Sequence, residues 1–135
     1  MAKFVRNHFL PPAIWALLIL TVSSIPRLSP PPIGLTFTDK LAHFSEYLIL
    51  GFFSLTAFLK SGNSGRKSFT ATFLICAAMG VLDELHQFLI PGRSVELLDA
   101  AANVSGSLAG AVLALIFKNR FSRRSAGPDR PSGAK

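Results

Sequence analysis

The sequence predicts an all-α fold, a four-helix transmembrane bundle with both termini cytoplasmic. Three observations predict it. Half of the 135 residues are hydrophobic. They gather into four long blocks, and the basic residues fall unevenly on the segments between those blocks. The blocks cover about residues 8–25, 41–59, 69–90 and 97–117, separated by Pro, Gly, Ser or charge. Each approaches the ~20 residues with which a helix crosses ~30 Å of hydrocarbon. None carries the polar outer face of a water-soluble bundle helix.

The first block begins after Lys3 and Arg6 and ends near Ser23-Ser24, which invites comparison with a cleaved signal peptide. Pro11-Pro12 at the start of the block and Trp15 within it favour a retained helix instead. The second and third blocks flank the basic loop "KSGNSGRKS" (60–68), and the third contains the lone Cys76. With one cysteine no intramolecular disulfide forms, and Cys76 reads as a small packing residue. The fourth block is followed by a basic tail. The expected organisation is one transmembrane domain over 8–117 and a disordered, basic cytoplasmic tail over 118–135.

Orientation follows from charge. With both termini and the 60–68 loop inside, the cytoplasmic side carries Lys3, Arg6, Lys60, Arg66, Lys67, Lys118, Arg120, Arg123, Arg124, Arg130 and Lys135. The opposite side keeps Arg27, Lys40 and Arg93, so that eleven of the 14 basic residues lie inside. The net charge of +7 is thereby explained by topology, and no nucleic-acid motif, phosphate-binding glycine loop or internal repeat accompanies it. The bilayer is the expected partner, and nucleic acid is not.

In this topology the ionisable residues of the last three helices cluster within roughly 10–15 Å of the outer surface. At ~100° per residue, Asp39, His43, Glu46 and Tyr47 share one sector of the second helix. Asp83, His86 and Gln87 share a sector of the third, with Glu84 to one side. Asp99, Asn103, Gly106 and Gly110 form a stripe on the fourth. A charge facing lipid costs about 2.5–3.5 kcal/mol on insertion scales, so these faces should turn toward one another. The plainer reading fits some of them. Asn103 can simply tie helices together, Gly106-x-x-x-Gly110 is a close-packing groove, and Tyr47 and Trp15 are packing or interface aromatics. Two histidines and five acids in one layer exceed what packing needs, and intramembrane ionisable groups by default mark a site.

The segment "IPGRSVE" adds a turn. Pro91-Gly92 suits the centre of a type II turn, with Gly at the positive φ. Ser94 suits the N-cap of the fourth helix. Arg93 then stands beside a helix N-terminus, either to neutralise the acids or to hold an incoming anion.

Taken in order, Asp39-Lys40-x-x-His43-Phe44, Tyr47, Asp83-Glu84-x-His86-Gln87-Phe88, Pro91-Gly92-Arg93-Ser94, Asp99 and Asn103 resemble the VanZ-like family of small bacterial membrane proteins. The resemblance covers about residues 12 to 117. It implies a multi-pass protein of the bacterial cytoplasmic membrane with four or five helices. The family takes its name from an accessory protein that raises resistance to the glycopeptide teicoplanin. It brings no reaction, substrate or cofactor with it.

On this reading the candidate catalytic residues are Asp83, Glu84, His86 and His43. Asp83 or Glu84 would serve as general base, with the histidines moving protons. Asp39, Lys40, Tyr47, Gln87, Arg93, Ser94, Asp99 and Asn103 would bind a lipid-linked or peptidoglycan-related envelope molecule, Arg93 holding an anionic headgroup. A metal variant of the site would use His43, His86 and nearby carboxylates as ligands, but no compact ligand motif such as HExxH is present and no metal is assigned. Whether the protein is an enzyme stays open at this level. The alternatives are a non-catalytic packing or accessory protein for an envelope enzyme, and proton- or ion-coupled transport. Transport would need a conduit built from Thr56, Thr70, Thr72 and Ser107.

Overall fold

The structure, a computed structural model, describes residues 7–26, 38–92 and 96–125. These form four helices: α1 (Leu10–Ser23), α2 (Thr38–Lys60), α3 (Gly65–Phe88) and α4 (Leu97–Ser125). Among the described residues there is no strand. α2, α3 and α4 are long and apolar enough to cross a membrane.

α1 is shorter than its apolar block, with 14 residues rising only ~21 Å. Its length is set by its ends. Pro11 and Pro12 occupy the second and third helical positions, within the first turn, where a missing N–H costs nothing. At the other end Ser24 turns its hydroxyl back onto the Leu20 carbonyl, 2.6 Å away. α3 starts at Ser64, whose hydroxyl accepts from the Lys67 backbone N–H at 3.5 Å. It ends before Pro91-Gly92, where Gly92 takes the expected positive φ of 83°. α4 does not stop at residue 117, where the tail was expected to begin; the helix continues through Ser125. Residues 118–125 are helical because the segment lacks Gly and Pro, and residues 126–135 lie outside the described part.

Helix directions alternate. Phe9 meets Phe58 and Trp15 meets Phe53, which sets α1 antiparallel to α2. α2 and α4 run parallel. Phe44 lies against Gly106, Leu48 against Gly110, and Phe52 against Phe117. Among the described residues α1 packs on α2 and α3 but not on α4, while α2 and α3 each pack on the other three helices. The tightest contact joins α2 to α4. A Cβ at Gly106 would run into the Phe44 backbone, one at Gly110 into Leu48 and Phe52, and one at Gly51 into Ser107. The two backbones touch through glycines, as helices do where lipid supplies no hydrophobic drive and close van der Waals contact must serve instead.

The side-chain distribution is that of a membrane bundle. Leu74, Val81, Leu82, Leu85 and Phe88 stand exposed on α3, and Leu97, Leu98, Val112, Ile116 and Phe117 on α4. An apolar surface of that extent suits lipid. Inside, Ile19, Tyr47, Leu50 and Cys76 form one core cluster, and Leu55, Ala111 and Ala114 another. The most polar part of the interior is confined to one end.

The α2–α4 contact makes a direct prediction. Gly110→Val should lower stability by ~2 kcal/mol or more, the scale of forced overpacking, and deplete folded protein in detergent. Gly65→Ala, where an added Cβ meets nothing within 4 Å, should leave melting temperature and yield at wild-type levels.

Candidate functional site

The helix directions bring four ends together: the C-termini of α1 and α3 and the N-termini of α2 and α4. Here Asp39, Lys40 and His43 of α2 meet Asp83, Glu84 and Gln87 of α3, and Asp99 and Asn103 of α4. Ser23 and Ser24 of α1 close one side.

At the rim, Lys40 binds three carboxylates. Its Nζ lies 2.5 Å from Glu96 Oε2, 2.9 Å from Asp99 Oδ1 and 3.5 Å from Asp39 Oδ2. Asp99 is almost fully buried, and the ammonium is its countercharge. Asp39 and Asp99 also sit in the first turns of parallel helices, where negative charge meets the favourable end of the helix dipole.

One turn deeper, His43 and Asn103 are both buried and joined, Nδ1 to Oδ1 at 3.1 Å. Because the amide oxygen only accepts, this contact puts a proton on His43 Nδ1, which in the neutral imidazole leaves the lone pair on Nε2. Tyr47 follows at full burial. Gly80 of α3 makes room for both neighbours, since a Cβ there would lie 3.3 Å from Asn103 Cβ and 3.7 Å from Tyr47 Cε1.

α3 departs from the expected sector. Its buried stripe is Gly80, Asp83, Glu84 and Gln87, with Glu84 inside rather than to one side. Those four positions span about 100° of the helix, and His86 lies ~60° beyond their edge. His86 is accordingly only half-buried and faces α1, its Nε2 2.8 Å from Ser24 Oγ. The two histidines therefore serve different neighbours: His43 belongs to the α2–α4 pair and His86 pins α3 to α1. Gln87 reinforces the second link, its Nε2 donating to Asp83 Oδ2 at 3.3 Å and to Ser23 Oγ at 3.5 Å.

Glu84 is the group composition alone could not place. It is 5% exposed, and among the described residues neither carboxylate oxygen has a hydrogen-bond partner. The charged groups that act on it are His43, Asp99 and Asp83, with the Glu96 backbone alongside. Among the described residues Asp83 Oδ1, Tyr47 Oη and Asn103 Nδ2 are also buried without a partner. Arg93 and Ser94 lie outside the described residues.

Sequence reasoning gave no role to Glu96 or Ser24. Glu96 holds Lys40, and Ser24 holds His86. The only signals for them were proximity to a helix start and a helix end. The set can bind a cation among its carboxylates, or exchange protons with a bound polar group through the unpartnered acids.

Neither a curated protein nor a solved structure matches the chain. A family model described as VanZ/LLP1 does match, over residues 4–118, a span that contains all four helices up to the basic end of α4. With that coverage, and with membrane-length helices carrying the motif residues, the chain belongs to the VanZ/LLP1 family.

Proposed function

We propose that this VanZ/LLP1-family membrane protein uses the polar end of its bundle as an outward-facing pocket. The pocket binds or modifies a lipid-linked or peptidoglycan-related molecule of the bacterial envelope, and thereby alters glycopeptide susceptibility. The observation that carries the reading is the group of unpartnered buried atoms on Tyr47, Asp83, Glu84 and Asn103. Buried polar groups in folded proteins are nearly always paired, and an unpaired one costs about 1–3 kcal/mol. A pocket awaiting a polar ligand accounts for several such atoms converging in one place. Within it, Glu84 or Asp83 serves as general base, His43 relays protons, and Lys40 and Arg93 meet an anionic headgroup.

A second reading, a non-catalytic accessory protein whose polar end fixes helix packing, is favoured by the closed pairs Lys40–Asp99, His43–Asn103 and His86–Ser24. Those contacts explain why the residues are needed to assemble the bundle.

Isosteric variants separate the two. Asp83→Asn and Glu84→Gln should shift the glycopeptide inhibitory concentration to that of a strain lacking the protein, with membrane abundance unchanged. Abundance and phenotype falling together would establish the packing reading instead. Orientation has its own check in a Cys76→Ser background. A cysteine replacing Leu97, beside the pocket, should react with membrane-impermeant maleimide on intact cells, and one replacing Asn63, between α2 and α3, should react only after lysis. The reverse pattern would place the pocket in the cytosol and remove the envelope reading.

A further inference from the structure

We propose that the pocket holds a divalent cation between α2 and α4, coordinated by Asp39, His43 and Asp99, with Glu84 as a fourth donor from α3. A ring nitrogen of His43 and one carboxylate oxygen each of Asp39 and Asp99 lie within 4.8 Å of one another. His43 and Asp99 are buried, and Asp39 is half-buried, so the position is shielded yet reachable from the rim. The donors come from two parallel helix ends that the glycine contact fixes at close range.

Three further observations point to a cation. Glu84 is buried, unpartnered among the described residues, and near enough to His43 and Asp99 for their charges to act on it. A carboxylate so placed lacks the partner a metal would supply. Asn103 holds the Nδ1–H of His43, which leaves Nε2 as the lone-pair donor; metal-ligating histidines have their second nitrogen engaged in this way. Finally, among the described residues Lys40 is the one lysine or arginine at an end with five carboxylates, those of Asp39, Asp83, Glu84, Glu96 and Asp99. Its ammonium already stands in the cation position beside Asp99, and Glu96 offers it an alternative. A metal entering beside Asp99 would move Lys40 fully onto Glu96. One imidazole with two or three carboxylates suits Mn²⁺ or Zn²⁺ better than the all-oxygen preference of Ca²⁺ or Mg²⁺.

The site is the one used by the proposed reading and shares Glu84 and His43 with it, Asp83 remaining as the base when an ion is bound. The cluster of Asp39, His43 and Asp99 nevertheless stands apart from that reading and can fail separately. The test is Mn²⁺ titration of the tag-free full-length protein in detergent, followed by electron paramagnetic resonance and repeated with Zn²⁺ by calorimetry. One ion per chain should bind. Asp99→Asn and His43→Gln should each weaken binding at least ~10-fold, and Asn103→Leu by about 10–100-fold, the range seen for residues that orient a ligand. Lys40→Gln should tighten binding by ~10-fold or more, because the ion no longer displaces an ammonium. A Lys40 that merely cements the bundle would give the opposite sign. His86→Gln, on the α1 side, should bind Mn²⁺ as wild type does, whatever its effect on susceptibility. Absence of binding at millimolar Mn²⁺, binding indifferent to both Asp99→Asn and His43→Gln, or weaker binding in Lys40→Gln would overturn the site. The envelope reading would then still stand on its susceptibility test. Conversely, wild-type susceptibility in Asp83→Asn and Glu84→Gln strains would remove that reading and leave metal binding untouched.

Discussion

Everything at the polar end depends on how closely α2 and α4 approach. Gly51, Gly106 and Gly110 let the two backbones touch over about two turns. Because the helices run parallel, their N-termini arrive together. That brings Asp39, Lys40 and His43 into reach of Asp99 and Asn103, so a contact made of missing side chains positions the charged ones. Replace a glycine and the helices separate, and the pairs Lys40–Asp99 and His43–Asn103 separate with them. The same contact sets two like-signed helix ends side by side. Their N-terminal dipoles would repel were it not for the acids that both helices carry in the first turn.

Lys40 then has an unusual burden. Two buried or half-buried aspartates beside a membrane cannot both stay charged without a countercharge, and one ammonium touches both as well as Glu96. A lysine suits this position better than an arginine. Its compact charge on a flexible stem can move between carboxylates, whereas a guanidinium would lock two of them in a fork. The rim is therefore organised around one ammonium, and among the described residues Glu84 behind it has no such partner.

Much of this was legible in the sequence. Four apolar blocks gave four helices, and the stripe Asp99, Asn103, Gly106, Gly110 is a buried stripe of α4. Gly92 has the positive φ its turn needed. Local rules sufficed there because periodicity and Gly chemistry act within one element. What the sequence hid was partnership between elements. Glu84 and His86 exchange their expected places because the inward direction of α3 is decided by where α2, α4 and α1 stand, and a sector drawn on an isolated helix has no such reference. The convergence of Asp39, His43 and Asp99 was hidden for the same reason, because its residues lie on α2 and α4 and match no compact motif. The length of α1 was misjudged because apolar residues continue past the prolines and serines that end the helix.

The pattern of made and unmade hydrogen bonds divides the labour among the helices. Hydroxyls on exposed positions satisfy themselves on their own helix. Thr21, Ser45 and Ser105 each bond the carbonyl four residues back. A lipid-facing hydroxyl has no other choice. The buried hydroxyls of Ser68 and Thr72 on α3 do not, and among the described residues they have no partner at all. They lie on the same stripe as Cys76, Gly80, Asp83, Glu84 and Gln87, so unmade bonds run along the inner face of α3. The atoms left unpaired on the other helices, Tyr47 Oη and Asn103 Nδ2, belong to side chains that pack against Gly80 on that face. The joined α2–α4 pair is thus the close-packed frame, with one ammonium shared among Asp39, Glu96 and Asp99. α3 supplies the unmatched polar surface that leans against it. Most of the unsatisfied groups thus sit on the helix that is not one of the two in closest contact, while Tyr47 and Asn103 carry the rest on the pair itself.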